Sequence, residues 1–247
     1  SDAAVADTVW TWSLSTSDTS PKWSGGRSVS RRFFFENPLL AARCDGVCRM
    51  FGHAEHGGRL YLVMKLYNSS LDEHLRQTGP LEPRKVLDFG LQLAYTLASL
   101  HEQRVIVKDL KPANVLIEHA AGGTLRLVIA DFGISSIAGA TTTTGAMASG
   151  TPQFMSPEQF DRDTFGSLAT KADIWALGCV LDAMVTGGPI WPADSKPMEI
   201  MMTVAGKRQS PQMPAEARGR LAEVLRRCFS HDQSARPTAQ EGLSAIS

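Results

Sequence analysis

Three short blocks carry the polar residues best suited to chemistry. The first is Val107-Lys108-Asp109-Leu110-Lys111-Pro112-Ala113-Asn114, and the second is Asp131-Phe132-Gly133. The third is Gly150-Thr151-Pro152-Gln153-Phe154-Met155-Ser156-Pro157-Glu158. Two carboxylates and a neutral amide oxygen, from Asp109, Asp131 and Asn114, are hard donors of the kind that hold magnesium. Lys111 adds a positive charge close to Asp109. Such a set suits transfer of an anionic group, with cations meeting the charge and Asp109 taking a proton. Each block alone says little, since Asp109 could cap a turn and Asp131-Phe132-Gly133 could simply be one.

Residues on loops need rigid elements to aim them. Short apolar runs at 105–107, 115–117 and 125–129 predict strands on either side of the first block and just before the second. Apolar runs at 47–51 and 60–66, split by His56-Gly57-Gly58, predict a hairpin, and 8–14 predicts another strand. Helical spacing predicts helices at 28–40, 71–77 and 84–103, the last opened by Pro83. Further helices are expected at 171–186, 197–204 and 214–229. Strands first and helices afterwards indicate an α+β arrangement, a small sheet-rich part on a larger helical one. The polar stretch 13–26 and the Ser/Thr/Gly-rich stretch 134–150 read as loops.

In this order the blocks resemble the protein kinase family, whose signatures are H-R-D-L-x-x-x-N, D-F-G and A-P-E. Asp173-Ile174-Trp175-Ala176-Leu177-Gly178 resembles the family's D-x-W-x-x-G helix, and Ala235-Arg236-Pro237-Thr238 its closing arginine. The likeness runs from about residue 47 to the end and more faintly through 1–46. It implies a bilobal fold: an incomplete, β-rich N-lobe over 1–66, a hinge near 64–67 and a mainly helical C-lobe over 67–247. The catalytic loop would be 107–114 and the activation segment 131–158. ATP and magnesium are the implied cofactors, and a protein with a serine or threonine acceptor is the implied substrate. On this reading Asp109 is the base and Lys111 assists, while Asn114 and Asp131 hold metal. Met64 would be the gatekeeper, and backbone groups of Lys65 and Tyr67 would meet adenine. The resemblance also implies that Thr151 contacts Asp109, that Glu158 pairs with Arg236, and that the Asp173 carboxylate binds the catalytic-loop backbone.

The sequence departs from the family in two places. Val107 and Lys108 stand where the family has His and Arg; lysine keeps the charge but loses the guanidinium fork that binds a phosphorylated loop. Thr141, Thr142, Thr143, Thr144 and Ser149 offer hydroxyls there, or simply form a loop. In the N-lobe, Glu36 in Phe33-Phe34-Phe35-Glu36 resembles the family's helix glutamate, and Lys22 its strand lysine. Lys22 sits in the polar run Asp18-Thr19-Ser20-Pro21-Lys22-Trp23 rather than an apolar strand, so an exposed loop lysine is an equal reading. The glycine-loop positions fall at Asp2, Ala4 and Asp7, and side chains there obstruct close approach to phosphates. A pseudokinase, keeping the fold as a scaffold without turnover, is therefore the alternative.

Composition bounds the rest. The 247 residues are 43% apolar and 20% charged, which suits a folded domain with a sizeable core. Lys plus Arg (25) balances Asp plus Glu (25), so no field favours nucleic acid or an anionic membrane. No apolar run is long enough to span a membrane, no secretory leader is visible, and four cysteines fit reduced thiols. The expectation is a cytoplasmic protein of unspecified oligomeric state. The first residue is Ser, which hints at a piece of a longer chain. Cys44, Cys48, His53 and His56 lie close together, but their spacings fit no usual zinc finger.

Overall fold

The computed structural model describes residues 10–14, 24–25, 44–56, 59–130 and 150–246. The expected helix at 28–40 lies outside them. Alternating β-formers build an antiparallel sheet in the order β2-β1-β4-β3, from β1 Trp10–Leu14, β2 Ser24–Gly25, β3 Met50–His56 and β4 Arg59–Met64. The hairpin β3–β4 aligns His53 with Leu62, and an irregularity between Met50 and Gly52 sets Phe51 outside the register. The sequence placed the first strand of this hairpin at 47–51, and that start is corrected. Val47 bridges to Ile129 instead, the Cys48 amide donates to the Ile129 carbonyl (2.9 Å) and the Ile129 amide to Gly46 (2.8 Å). Segment 46–48 thus extends a second sheet and fastens the first to it. Gly46 is required there, because a Cβ would come within 1.8 Å of the Thr96 hydroxyl.

The second sheet, in the order β5-β6-β7, comprises β5 Ser69–Ser70, β6 Val115–His119 and β7 Leu125–Ile129. The strand expected at 105–107 is absent; those residues run without regular structure. The reason is that the Val107 amide is taken by a side chain rather than a neighbouring strand.

Helix α1, Leu71–Thr78, starts where the Ser70 hydroxyl accepts from the Glu73 amide, an N-cap typically worth about 1 kcal/mol, and stops at Gly79. Helix α2, Pro83–Glu102, buries Val86, Phe89, Leu93, Leu97 and Leu100 along one face. Two single-turn helices follow, α3 Pro157–Phe160 and α4 Arg162–Phe165. Helix α5, Lys171–Thr186, is buried on every side from Ala172 to Val185, the mark of a helix through the centre of a core. Helix α6 is shorter than expected: α-helical turns cover Pro197–Met201 and a π-turn takes Met202–Gly206. Helix α7 covers Gly219–Cys228 only, so the expected start at 214 is corrected; Pro214 to Arg218 form a turn, stitched by the Ala217 amide on the Pro214 carbonyl. Helix α8 is Ala239–Ile246.

One core joins α1, α2, α5, α7 and the second sheet, while a smaller cluster of Cys48, Met64, Val128 and Ala130 fills the junction of the two sheets. Trp175 of α5 is 1% exposed and stands edge-on to Phe229 at 5.4 Å. Gly178, one turn on, lets α7 approach: a Cβ would lie 2.7 Å from Cys228 Cβ and 2.9 Å from Phe229 Cε1.

Gly178→Ala is expected to destabilise the fold by roughly 1–3 kcal/mol, although alanine favours a helix by about 1 kcal/mol. A urea midpoint that rises in the variant would contradict this packing. Asp182, on the same helix, is 3% exposed, and its Oδ2 has no hydrogen-bond partner among the described residues. Burial, with a smaller push from Glu216, raises its carboxyl to about 7. The folded value lies above the unfolded one of about 3.9, so the protonated form favours the fold. That contribution is full below about pH 4 and lost as pH rises through about 7. Stability measured from pH 5 to 8 should therefore fall in the parent relative to Asp182→Asn; parallel curves would refute the assignment.

Candidate functional site

Segment 107–114 leaves the end of α2 and returns as β6. Its shape is imposed by Asp173 of α5, which is 1% exposed. One oxygen of this carboxylate accepts the Val107 amide at 2.9 Å, and the other accepts the Lys108 amide at 2.9 Å. His101 Nε2, from the last turn of α2, meets the same carboxylate at 2.9 Å. Lys108 is held at φ 67, a left-handed conformation costing a residue with a Cβ roughly 1–2 kcal/mol. Its carbonyl accepts from Gln159 Nε2 at 2.9 Å, so the turn is gripped from α5 and α3 together.

This turn directs Asp109 outward. Asp109 Oδ1 accepts the Thr151 amide at 2.9 Å, while Oδ2 accepts Lys111 Nζ at 2.6 Å and Asn114 Nδ2 at 3.2 Å. Lys111 Nζ also donates to the Thr151 hydroxyl at 2.6 Å. Pro112–Asn114 is one 3-10 turn, which brings Asn114 back so that its Nδ2 also donates to the Asp109 carbonyl at 2.9 Å. With its amide nitrogen engaged on Asp109, the Asn114 amide oxygen is the atom that could take a cation. The Ala130 amide donates to the Asn114 carbonyl at 2.8 Å, so the chain passes Asn114 one residue before Asp131. The side chains of Asp109 and Lys111 remain 25% and 23% exposed, which leaves this pair open to a substrate.

The third block is anchored beneath. Glu158 and Arg236, both fully buried, pair through Nη1–Oε1 at 2.6 Å and Nη2–Oε2 at 2.9 Å. Arg236 also donates to the carbonyls of Ser230 (2.7 Å) and Lys171 (3.0 Å), and its guanidinium lies 5.2 Å from the Trp175 ring. Ser156 caps α3 together with Gln159, and this fixes the Gln159 amide against Lys108.

Of the expected site residues, Asp109, Lys111 and Asn114 are gathered into one constellation. Met64, Lys65 and Tyr67 lie together on the linker between the sheets. Lys22, Glu36 and Asp131 lie outside the described residues. The Lys65 amide donates to the Arg49 carbonyl at 2.9 Å, so its own carbonyl is the Lys65 backbone group that could meet a base. Met64 is 8% exposed and receives the Cys48 thiol at 3.7 Å. Sequence reading missed His101 and Gln159. The pattern Ser156-x-x-Gln159 is a capping-box signature that could have found Gln159, whereas His101 needed the fold.

The family pattern described as Protein kinase domain matches residues 35–245. The chain belongs to this family. It is 30% identical over 215 residues to the protein Kinase of the Outer Chloroplast Membrane 1 of Arabidopsis thaliana, covering 84% of this chain and 34% of that protein. It is 34% identical over 203 residues to mitogen-activated protein kinase kinase kinase 6 of Homo sapiens, covering 80% of this chain and 15% of that protein. Against serine/threonine-protein kinase STE11 of Saccharomyces cerevisiae the figures are 30% over 211 residues, 84% and 28%. The chain thus spans about a third or less of these relatives. As in the bilobal kinase fold, a small sheet-containing region sits on a mainly helical one. Among the described residues no helix is long and apolar enough to cross a membrane.

Arg236→Met leaves Glu158 buried and unpaired, and should destabilise the chain by about 3–5 kcal/mol. Arg236→Met combined with Glu158→Leu should recover much of that loss. Chemical denaturation of both variants tests the pair, and equal losses in the two would show that the charge is not the cause.

Proposed function

We propose that this kinase domain transfers the γ-phosphate of ATP to serine or threonine hydroxyls of protein substrates. The carrying observation is the Asp109 carboxylate, held at once by the Thr151 amide, Lys111 and Asn114. Asp109 orients the acceptor hydroxyl and takes its proton as the oxygen–phosphorus bond forms and ADP departs. Lys111, already on Asp109 and Thr151, meets charge on the transferred group. The amide oxygen of Asn114 and the carboxylate of Asp131 are hard donors that suit magnesium, which when bound neutralises phosphate charge. Met64 borders the base site, where the Lys65 carbonyl and the Tyr67 backbone meet adenine. Lys22 and Glu36 are the candidates for the phosphate-side pair. The N-lobe is 1–66 and the C-lobe 67–247, with the hinge at 64–67, the catalytic loop at 107–114 and the activation segment at 131–158.

The relatives, serine/threonine-protein kinases among them, support the acceptor class. A net charge of zero supports a protein substrate over nucleic acid, and a cytoplasmic setting agrees with the four free, buried cysteines. Asp2, Ala4 and Asp7 at the glycine-loop register favour a second reading, a nucleotide-binding scaffold with little turnover.

The test is transfer of labelled γ-phosphate from magnesium-ATP to the chain and to a generic basic protein. Asp109→Asn should lower transfer by about 10²–10⁴-fold, and Asp131→Asn should abolish it, with unfolding midpoints checked alongside. Unchanged transfer in Asp109→Asn would remove its assigned role. Nucleotide binding without transfer would favour the scaffold.

A further inference from the structure

Residues 64–68 connect the two sheets, and their side chains reach both ways. The Tyr67 phenol reaches back to the segment that leads into β3, where its oxygen accepts the amide of Arg49, one residue before that strand, at 3.1 Å. Burial raises the Tyr67 phenol to about 12 and the Cys48 thiol to about 11, so both stay neutral. Lys65 reaches the other way: its ammonium pairs with Glu118 of β6, with side chains 34% and 26% exposed. Lys65 Nζ also lies 5.7 Å from the centre of the Tyr67 ring, so the two arms touch. The backbone repeats the pattern, with the Lys65 amide on the carbonyl of Arg49, just ahead of β3 in the first sheet, and the Asn68 amide on Ile117 of the second.

We propose that Tyr67, Lys65 and Glu118 form a cross-brace that fixes the linker against both sheets and so positions the nucleotide base. They are positioning residues, acting through the backbone of 65–67. The inference rests on the nucleotide reading above and deepens it. A connecting strand held on one side swivels about its bonds; one held on opposite sides by crossing arms is triangulated. A linker fixed before the ligand arrives gives up less conformational freedom on binding. That matters here, because glycines are missing at the register where phosphates would be held, leaving the base edge a larger share of the affinity.

The experiment reads exchange and kinetics on the same variants. Tyr67→Phe and Glu118→Gln should each speed amide hydrogen exchange at residues 65–68 without nucleotide. Tyr67→Phe should raise KM for magnesium-ATP about three- to tenfold, and Glu118→Gln about two- to fivefold, with kcat nearly unchanged. The exchanged pair Lys65→Glu with Glu118→Lys should restore both readouts toward the parent, whereas Lys65→Glu alone should not. Unaltered exchange in both single variants, or a fall in kcat with KM held, overturns the brace. Should the parent bind no nucleotide, the kinase reading and the positioning role fall together, while the exchange rates still decide whether the linker is braced.

Discussion

Everything at the site depends on one buried carboxylate. Asp173 sits inside a helix that is buried around its whole circumference, and a charge there is costly unless it is fully hydrogen-bonded. It is satisfied by the amides of Val107 and Lys108 and by His101. The dependence is mutual. The loop supplies the donors that make the buried charge tolerable, and the carboxylate holds the loop in a left-handed turn that a lysine would otherwise avoid. From that turn Asp109 is aimed at Thr151 and Asn114, and the rest of the constellation follows.

The same geometry explains why two departures from the family's loop are tolerated. Asp173 binds backbone amides, which every residue but proline carries, so its grip is indifferent to the side chains at 107 and 108. Val107 need only fill apolar space, and it is 2% exposed in the main core. Lys108 keeps a cation without the planar fork of arginine, a change that bears on recognition of a phosphate and not on the turn itself. Gln159 strengthens the turn from below through the Lys108 carbonyl, again a backbone group.

Much of this was legible from residue types and spacing, and the failures have physical causes. Helices α2 and α5 show their period or continuous apolarity plainly, and β6 and β7 are short β-branched runs bounded by turns. The run at 105–107 has the same composition, yet it is not a strand, because the Val105 amide turns back to the Leu100 carbonyl and the Val107 amide goes to a side chain more than sixty residues away. Val47 was assigned to the wrong sheet for a similar reason: nothing local says that Gly46 lets the chain press against Thr96 and join Ile129. Asp109, Lys111 and Asn114 were found because their roles require fixed types at fixed spacing. His101 was missed because any polar residue at the end of a helix reads as a surface residue until the fold brings Asp173 to it.

The two halves of the site are held by different physics. Around Asp109 the supports are buried and charged: Asp173 beneath the loop, the Glu158–Arg236 pair beneath the third block, and backbone amides between them. Losing any one leaves a desolvated charge, so the arrangement resists gradual change. At the linker the supports are partly exposed, an ion pair open to water and a phenol on a single amide. Each is worth little and can be exchanged at low cost. A substitution at the linker therefore costs the fold less than one among the buried charges beneath Asp109.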